Sequence, residues 1–380
     1  MNHTFPPPNQ LAPPLSMPHR SPHNTVRHHS VLPETAFVDA LLRERRRSER
    51  SGKPFVLMLA RPNGVRNGTL VRLLRAISGS IRETDTIGWY RQEEILGVIF
   101  TELGDAEKSA VLSSLNRRAT KAVCDGSPDL KTPPVTFTFH FFPEESEPNG
   151  HSMDLSLYPE LFREGWSTKF ARRIKRAIDV LGSTLLLALL SGLLLVIAAL
   201  IKLTSKGPVL FRQTRVGQYG KPFSFLKFRS MYVNNDSKLH QEYVSRFIAG
   251  RAERHTVNGQ QGVFKIINDP RVTALGRFLR KTSLDELPQL LNVIKGEMSL
   301  IGPRPPVPYE FESYGVWHRR RVLEIKPGIT GLWQVSGRSR TSFDDMVRLD
   351  LQYAKQWSLW LDLKILLQTP KAVLSGIGAH

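Results

Sequence analysis

Apolar residues fall at helical spacing in "ETAFVDALLRERRRSER", where Phe37, Ala40 and Leu41 share a face ahead of a strongly basic end. "KPFVLMLARP" then reads as a buried strand, and "TLVRLLRAISGSIR" as a second amphipathic helix. "TIGWYRQEEILGVIF" predicts two strands joined by a polar turn near Arg91 to Glu93. "AEKSAVLSSLNRRATKAV" returns to helical periodicity, and "PVTFTFHFFP" alternates as a strand does. Helix, strand, helix, hairpin, helix, strand is the order of a compact α/β domain with ferredoxin-like connectivity, expected over residues 35–145.

The pattern changes on both sides of this block. Residues 1–34 are rich in Pro, His and Asn and predict a disordered tail with polyproline character. They lack the basic n-region and apolar core of a signal peptide. The histidines His19, His23, His28 and His29 are read as part of that solvated tail, with metal binding as the alternative. Residues 146–168 carry Ser, Glu, Pro and Gly, as a linker does. The basic, aromatic "EGWSTKFARRIKR" suits a segment at an anionic membrane surface.

Next comes "AIDVLGSTLLLALLSGLLLVIAALI", Ala177 to Ile201, in which Asp179 is the only charge. At 1.5 Å per residue such a helix reaches ~37 Å, enough to cross a hydrocarbon core of ~30 Å. Cations at both ends leave its orientation undecided. Ser191-Gly192 near its middle is a weak point. A helix that enters one leaflet, breaks there and returns keeps residues 1–170 and 203–380 on one side. This reading is preferred to a straight crossing.

Composition narrows the partners. The chain has 380 residues and a formal charge of +19, which calls for an anionic partner. Cys124 is the single cysteine, so no intramolecular disulfide forms, which fits a reducing compartment. The basic–aromatic "GPVLFRQTRVGQYGKPFSFLKFRSM" offers Arg212, Arg215, Lys221, Lys227 and Arg229. Such a stretch also suits nucleic acid. It follows directly on the apolar segment, however, so no nucleic-acid partner is expected.

The candidate chemistry lies in "RKTSLDELPQLLNVIKGEMSLIGPRP". Pro288 is tolerated only in a first helical turn, which puts a helix start near Asp285 and a stop at Gly296. Asp285 or Ser283 then serves as an N-cap, with Glu286 a first-turn acid. An ionised, rigidly held Asp285 is also a nucleophile able to attack phosphorus, and Glu286 a hard oxygen ligand for Mg²⁺. Arg280 precedes the acids, and Arg304 lies between Pro303 and Pro305, where a guanidinium can grip a phosphate.

Two resemblances follow from these residues. "RETDTIGWYRQEEILGVIF" resembles a degenerate diguanylate-cyclase-type domain whose glycine-rich turn has become "YRQEEIL". That likeness implies a regulatory or assembly role without cyclase activity. From about Lys169 to His380 the chain resembles the bacterial sugar transferase family, the monotopic phosphoglycosyl transferases. The matching pieces include the apolar segment with "LKFRSM", "DPRVTALGRFLRKTSLDELPQLLNVIKGEMSLIGPRPP", "PGITGLWQVSGRS" and "LDLQYAKQWSLWLDLKILLQT".

The second resemblance implies a membrane-associated α/β (α+β) transferase at residues 169–380, with a re-entrant membrane segment at 177–201 and amphipathic interfacial helices. It implies transfer of a sugar-1-phosphate from a UDP-sugar to polyprenyl (undecaprenyl) phosphate through an aspartyl-phosphosugar. Asp285 and Glu286 would be catalytic and would hold Mg²⁺. Arg280, Arg304, Lys227 and Arg338 would bind phosphate. The place implied is the cytoplasmic leaflet of a bacterial inner membrane, with both soluble parts cytoplasmic and a homodimer possible through the front domain. The alternative is a catalytically inactive membrane-tethered scaffold. Where many members break the membrane helix with Ser-Pro, this chain has Ser191-Gly192.

Overall fold

The computed structural model describes residues 30–63, 69–104, 107–125, 135–144, 153–163, 166–233, 238–253, 255–257, 260–263, 271–337 and 340–374. The expected tail up to residue 29 lies outside them. The front part runs α1 (Glu34–Ser51), β1 (Phe55–Pro62), α2 (Thr69–Ser78), β2 (Thr86–Arg91), β3 (Ile95–Phe100), α3 (Lys108–Asp125) and β4 (Val135–Phe142). The order matches the expected one, and the strands form a sheet β2-β3-β1-β4. Every pairing is antiparallel, with Leu57 opposite both Ile99 and His140. Gly88 and Gly97 face each other across β2 and β3, and the Phe37 ring of α1 lies on them. A Cβ at Gly97 would sit 2.5 Å from that ring.

The rest of the chain is built from short elements around a pair of apolar helices. They are α4 (Trp166–Leu189), α5 (Ser191–Thr204), β5 (Leu210–Val216), β6 (Pro222–Phe228), α6 (Lys238–Ile248), β7 (His255–Val257), β8 (Gln260–Val263), α7 (Ala274–Lys281) and α8 (Gln289–Lys295). Then follow β9 (Ser299–Ile301), α9 (Pro308–Glu312), α10 (Val316–Glu324), β10 (Gly328–Thr330), α11 (Leu332–Ser336), α12 (Phe343–Gln356) and α13 (Leu359–Leu374). The fold class is mixed α/β.

The apolar segment is not straight. α4 and α5 bend by 64° at Leu190, one residue before the predicted Ser191-Gly192 weak point. Ser191 begins α5 and donates its hydroxyl to Ala188 O at 2.9 Å, competing with the helix ladder at the bend. No single described helix is long and apolar enough to cross a membrane, but this pair passes that test together. Its outer face carries Leu181, Leu185, Leu189, Leu195 and Leu203, all exposed.

Three charged residues of α4 tie the pair to the rest. Lys175 donates to Asp362 of α13 at 2.8 Å and to Ile301 O at 3.3 Å. Arg176 donates to Val293 O and Ile294 O, the open carbonyl end of α8. Asp179, buried, accepts from Ser299 Oγ and from the Leu300 N–H at 3.0 Å. The lone charge that the apolar run carried is thus a buried structural acceptor.

Two differences from the sequence reading concern junctions. The stretch expected to be a linker forms 3-10 turns at Leu155–Leu157 and Pro159–Phe162. Leu157 and Tyr158 are buried in one core with Phe37 and Leu41 of α1, Val322 and Leu323 of α10, and Phe343 and Val347 of α12. Met153, Leu155 and Leu161 of the same stretch pack into or against that core, while Phe162 and Trp166 stay exposed. Leu32, placed in the expected tail, bridges Gly88 and covers the outer edge of β2.

Replacing Asp179 with Ala leaves the Leu300 N–H and Ser299 hydroxyl buried without their acceptor. Hydrogen bonds to a charged group are worth about 1.5–3 kcal/mol each. The Asp179→Ala protein in detergent is expected to melt several degrees lower than wild type, and an unchanged Tm would refute this clamp.

Candidate active site

The acid pair sits on a single 3-10 turn, Leu284–Glu286, between α7 and α8. This corrects the expected helix start. Pro288 is the N-cap residue of α8, and Gly296, at φ 88°, closes that helix as expected. Ser283 makes no side-chain cap; its backbone lies in the left-handed region at φ 55°. That turn reverses the chain after α7 and leaves Asp285 on its own short loop instead of in a helix. Asp285 is 7% exposed.

Arg304 comes from the segment after β9. Pro303, Pro305 and Pro306 have no N–H, so this backbone has few donors to satisfy. Its carbonyls are all engaged. Pro303 O accepts from Gly328 N at 2.8 Å, Arg304 O from Arg321 at 3.3 Å, Pro305 O from Arg215 at 2.8 Å and Pro306 O from Val216 N at 2.9 Å. Gly302 and Gly328 let β9 and β10 approach backbone to backbone; a Cβ on Gly328 would lie 2.0 Å from Gly302 N. Gly331 packs on Gly302 O in the same way. The glycines of "PGITG" therefore form the floor under Arg304. Gly337 lies beyond α11 against Thr341, and Arg338 lies outside the described residues.

Arg304 donates to Glu286 Oε1 at 2.8 Å. Lys227 stands on β6 opposite Phe211 of β5, its amine 5.2 Å from the centre of that ring. Arg280 lies in the last turn of α7, just before the acids. Four of the sequence-predicted residues, Lys227, Arg280, Asp285 and Arg304, share one electrostatic environment with Glu286.

Each charge bears the mark of this crowding. Burial raises the Asp285 carboxyl to about 6, and Glu286 pushes it the same way; Lys227, Arg280 and Arg304 offset this only in part. Burial also acts to raise Glu286, but the charge and hydrogen bond of Arg304 prevail, with help from Lys227 and Arg215, and hold it low. Glu286 in turn holds Arg304 above its ordinary value. Burial, then Arg215, brings the Lys227 amine down to about 8. One acid is thus poised near neutrality while its neighbour is locked as an anion.

Sequence reasoning missed other members of the site. Arg215 was one basic residue among several; here it is buried, bonded to Pro305 O, and lowered to about 10 by burial and by Arg304. His240 of α6 packs edge-on to Tyr309 with ring centroids 6.2 Å apart. Burial and then Arg215 take it down to about 4, so it is neutral at pH 7. The spacing carried no signal for either. Arg229 is structural: it donates to Ser205 O at 2.8 Å and to Ile201 O, closing the end of α5. Among the described residues no group of three or more His, Cys, Asp and Glu is arranged to hold a metal. Asp285 and Glu286 are adjacent carboxyls on one turn.

A buried Asp285 and a half-buried Glu286 thus lie among Lys227, Arg280 and Arg304, in a chain that also carries a bent apolar helix pair. Residues 170–376 match the family model for bacterial sugar transferase, and the chain belongs to that family. It is 45% identical over 206 residues to the galactosyl transferase CpsE of Streptococcus agalactiae, covering 54% of this chain and 43% of that one. It is 46% identical over 211 residues to the undecaprenyl-phosphate galactose phosphotransferase of Salmonella typhimurium, covering 55% and 42%. It is 43% identical over 209 residues to the exopolysaccharide production protein ExoY of Rhizobium meliloti, covering 54% and 88%. The chain spans under half the length of the first two. Among solved structures, a DGC protein from Thermotoga maritima aligns at 12% identity and a TM-score of 0.25, covering 30% of this chain and 85% of that one. Nothing below rests on that likeness.

The raised Asp285 has a consequence for stability. A carboxyl raised from 3.8 to about 6 favours the fold while protonated, and that contribution is lost as pH rises through 6. Asp285→Asn removes the ionisation. Its Tm is expected to exceed that of wild type at pH 8, by about 2–3 kcal/mol in stability, and to converge with it near pH 4. Melting curves across that range decide it; a gap independent of pH would count against the buried-carboxylate account.

Proposed function

We propose that this chain transfers a sugar-1-phosphate from a UDP-sugar to polyprenyl phosphate. The observation that carries the reading is the Arg304–Glu286 ion pair beside a buried Asp285 facing Lys227 and Arg280. The undecaprenyl-phosphate galactose phosphotransferase named among the relatives supports the substrate class.

In the first step an Asp285 carboxylate oxygen attacks the β-phosphorus. The P–O bond to the bridging oxygen breaks, UMP leaves with that electron pair, and a phosphosugar remains on Asp285. In the second step a phosphate oxygen of the lipid attacks the same phosphorus, displaces Asp285 and yields the polyprenyl diphosphosugar. Lys227, Arg280 and Arg304 hold the phosphoryl oxygens as charge shifts between them. Arg304 is pre-oriented by Glu286, so little reorganisation is needed when the diphosphate arrives.

Mg²⁺ fits this donor set. The ion commonly takes one or two protein carboxylates and fills its other positions with phosphate oxygens and water. Asp285 and Glu286 would hold it, and it would supply charge neutralisation at the diphosphate. Arg338, outside the described residues, would add a further phosphate contact.

The α4–α5 pair would enter the cytoplasmic leaflet of a bacterial inner membrane, bend and return. Both a bent span and a re-entrant loop have this shape. The re-entrant form is favoured because Arg229 and the α4 charges tie both helices to one catalytic frame. Trp360 and Leu367 of α13, exposed at 72% and 69%, would lie in the interface. The front part would serve regulation or assembly, with pairing of two copies as one form of it. An intact set of Asp285, Glu286 and Arg304 speaks against an inactive scaffold.

The test is a panel of UDP-sugars with Mg²⁺ and polyprenyl phosphate, read as UMP and lipid product. One sugar is expected to release UMP, with the rate rising through about pH 6 as Asp285 ionises and falling above about pH 8 as Lys227 loses its proton. Asp285→Asn is expected to abolish release, and intact mass of the wild type without lipid acceptor to gain one phosphosugar. Lipid product without that mass gain would overturn the covalent step.

Topology is tested separately. In a Cys124→Ser background, single cysteines at Trp166 and Lys206 are expected to react with a membrane-impermeant maleimide from the cytoplasmic face alone. Labelling of the two from opposite faces would establish a span.

A further inference from the structure

The strand that carries Lys227 is paired on one edge only. β6 runs antiparallel to β5, with Arg212 opposite Leu226 and Thr214 opposite Ser224. On its other edge the backbone groups at 224 and 226 meet one side chain, Asn292 of α8. The Leu226 N–H donates to Asn292 Oδ1 at 3.1 Å, and Asn292 Nδ2 donates to Ser224 O at 2.7 Å. A side-chain amide thus stands where the peptide group of a neighbouring strand would be. The same Nδ2 donates to Glu297 Oε2 at 2.6 Å, which fixes which end of the amide faces which partner. Asn292 is fully buried, so water does not compete for these bonds.

The place of this contact matters. Leu226 directly precedes Lys227, and α8 begins four residues after Asp285. Asn292 therefore joins the strand bearing the site's lysine to the helix that follows the site's aspartate. Apolar packing also holds β6 against α8, through Phe225 with Leu290 and Val293. Such packing is non-directional and leaves sliding along the strand weakly opposed. Two hydrogen bonds to fixed backbone atoms two residues apart set that register.

We propose that Asn292 is a positioning residue that fixes Lys227 relative to Asp285 by acting as a one-residue mimic of a missing strand. The inference rests on the phosphate-holding role of Lys227 given above, and it adds a residue to that site.

A double-mutant cycle separates positioning from general stability. Asn292→Asp keeps the acceptor for Leu226 N–H, loses the donor to Ser224 O and sets a carboxylate beside Glu297. Glu297→Gln is the milder companion, weakening the hold on Nδ2 without touching β6. Each is made alone and with Lys227→Met, and kcat/KM for UMP release is normalised to the folded fraction. Asn292→Asp is expected to lower kcat/KM about tenfold and Glu297→Gln two- to threefold. In the Lys227→Met background both effects are expected to fall below twofold. A fall from tenfold to twofold is a coupling of about fivefold, or about 1 kcal/mol.

A full tenfold loss persisting without Lys227 would overturn the inference, as would an Asn292→Asp protein of unchanged kcat/KM. Should Asn292→Asp fail to fold, the Glu297→Gln cycle decides: its two- to threefold loss persisting undiminished without Lys227 would overturn the inference. The cycle is repeated on the Kd for UDP, which needs no turnover. Non-additive UDP binding without UMP release would sink the proposed reaction and keep this inference; additive binding with normal release would do the reverse.

Discussion

The charges of Lys175, Arg176 and Asp179 hold the molecule's two natures together. Each lies on α4, and each is matched to a fixed group outside the apolar pair. Burying an ionised group is costly unless its hydrogen bonds are remade. These three remake theirs with the α8 carbonyls, with the N–H that opens β9's descent to Arg304, and with Asp362. Asp362 also accepts from Tyr353 at 2.6 Å and Trp357 at 3.1 Å, so α4, α12 and α13 meet in one polar knot. Slipping α4 by one turn would break every one of these bonds at once. The depth of the apolar pair and the position of the acid turn are therefore one variable.

Within the site the same reasoning runs in the opposite direction. There the charges are only partly compensated. Asp285 is buried beside Glu286, and the neighbouring cations do not restore an ordinary carboxyl. Glu286 and Arg304 satisfy each other, which leaves Asp285 as the acid of the pair without an ion-pair partner of its own at that distance. Such strain is tolerated because the rest is overdetermined. The Arg304 segment has all its carbonyls engaged, and the acid turn is hemmed by α7 and β6.

How much of this could be read from the chain depends on the range of the forces involved. The front sheet follows from local periodicity, and the turn at Gln92–Glu94 from a polar break between apolar runs. The two prolines flanking Arg304, Pro303 and Pro305, announced a stiff segment, and the acids stood out by their adjacency. The features that escaped depend on partners distant in sequence. Asp179 looked like a blemish in an apolar run until Ser299 and Leu300 came to it. Asn292 looked like a polar residue of an ordinary helix until β6 presented its open edge. The bend came at Leu190 because the Ser191 hydroxyl turns back on Ala188, a choice that Ser-Gly spacing placed within a residue but did not dictate. The segment after residue 152 read as a linker because four or five apolar residues without a period give no signal; their partners lie on α1, α10 and α12.

That packing changes what the front part is to the site. α10 carries Val322 and Leu323 into the core shared with Phe37, Leu41 and Leu157. The adjacent Arg321 pairs with Asp350 at 2.6 Å, meets the Tyr314 hydroxyl at 3.1 Å and reaches Arg304 O at 3.3 Å. One helix thus has the front core on one side and the backbone of Arg304 on the other. A close-packed interior passes displacement on with little loss, because no void absorbs it. Phe37 and Leu157 are therefore joined to Arg304 by a continuous run of packed side chains on α10. A flexible tether would have insulated the two halves; the buried Leu157 and Tyr158 make the front sheet part of the wall against which the site is built.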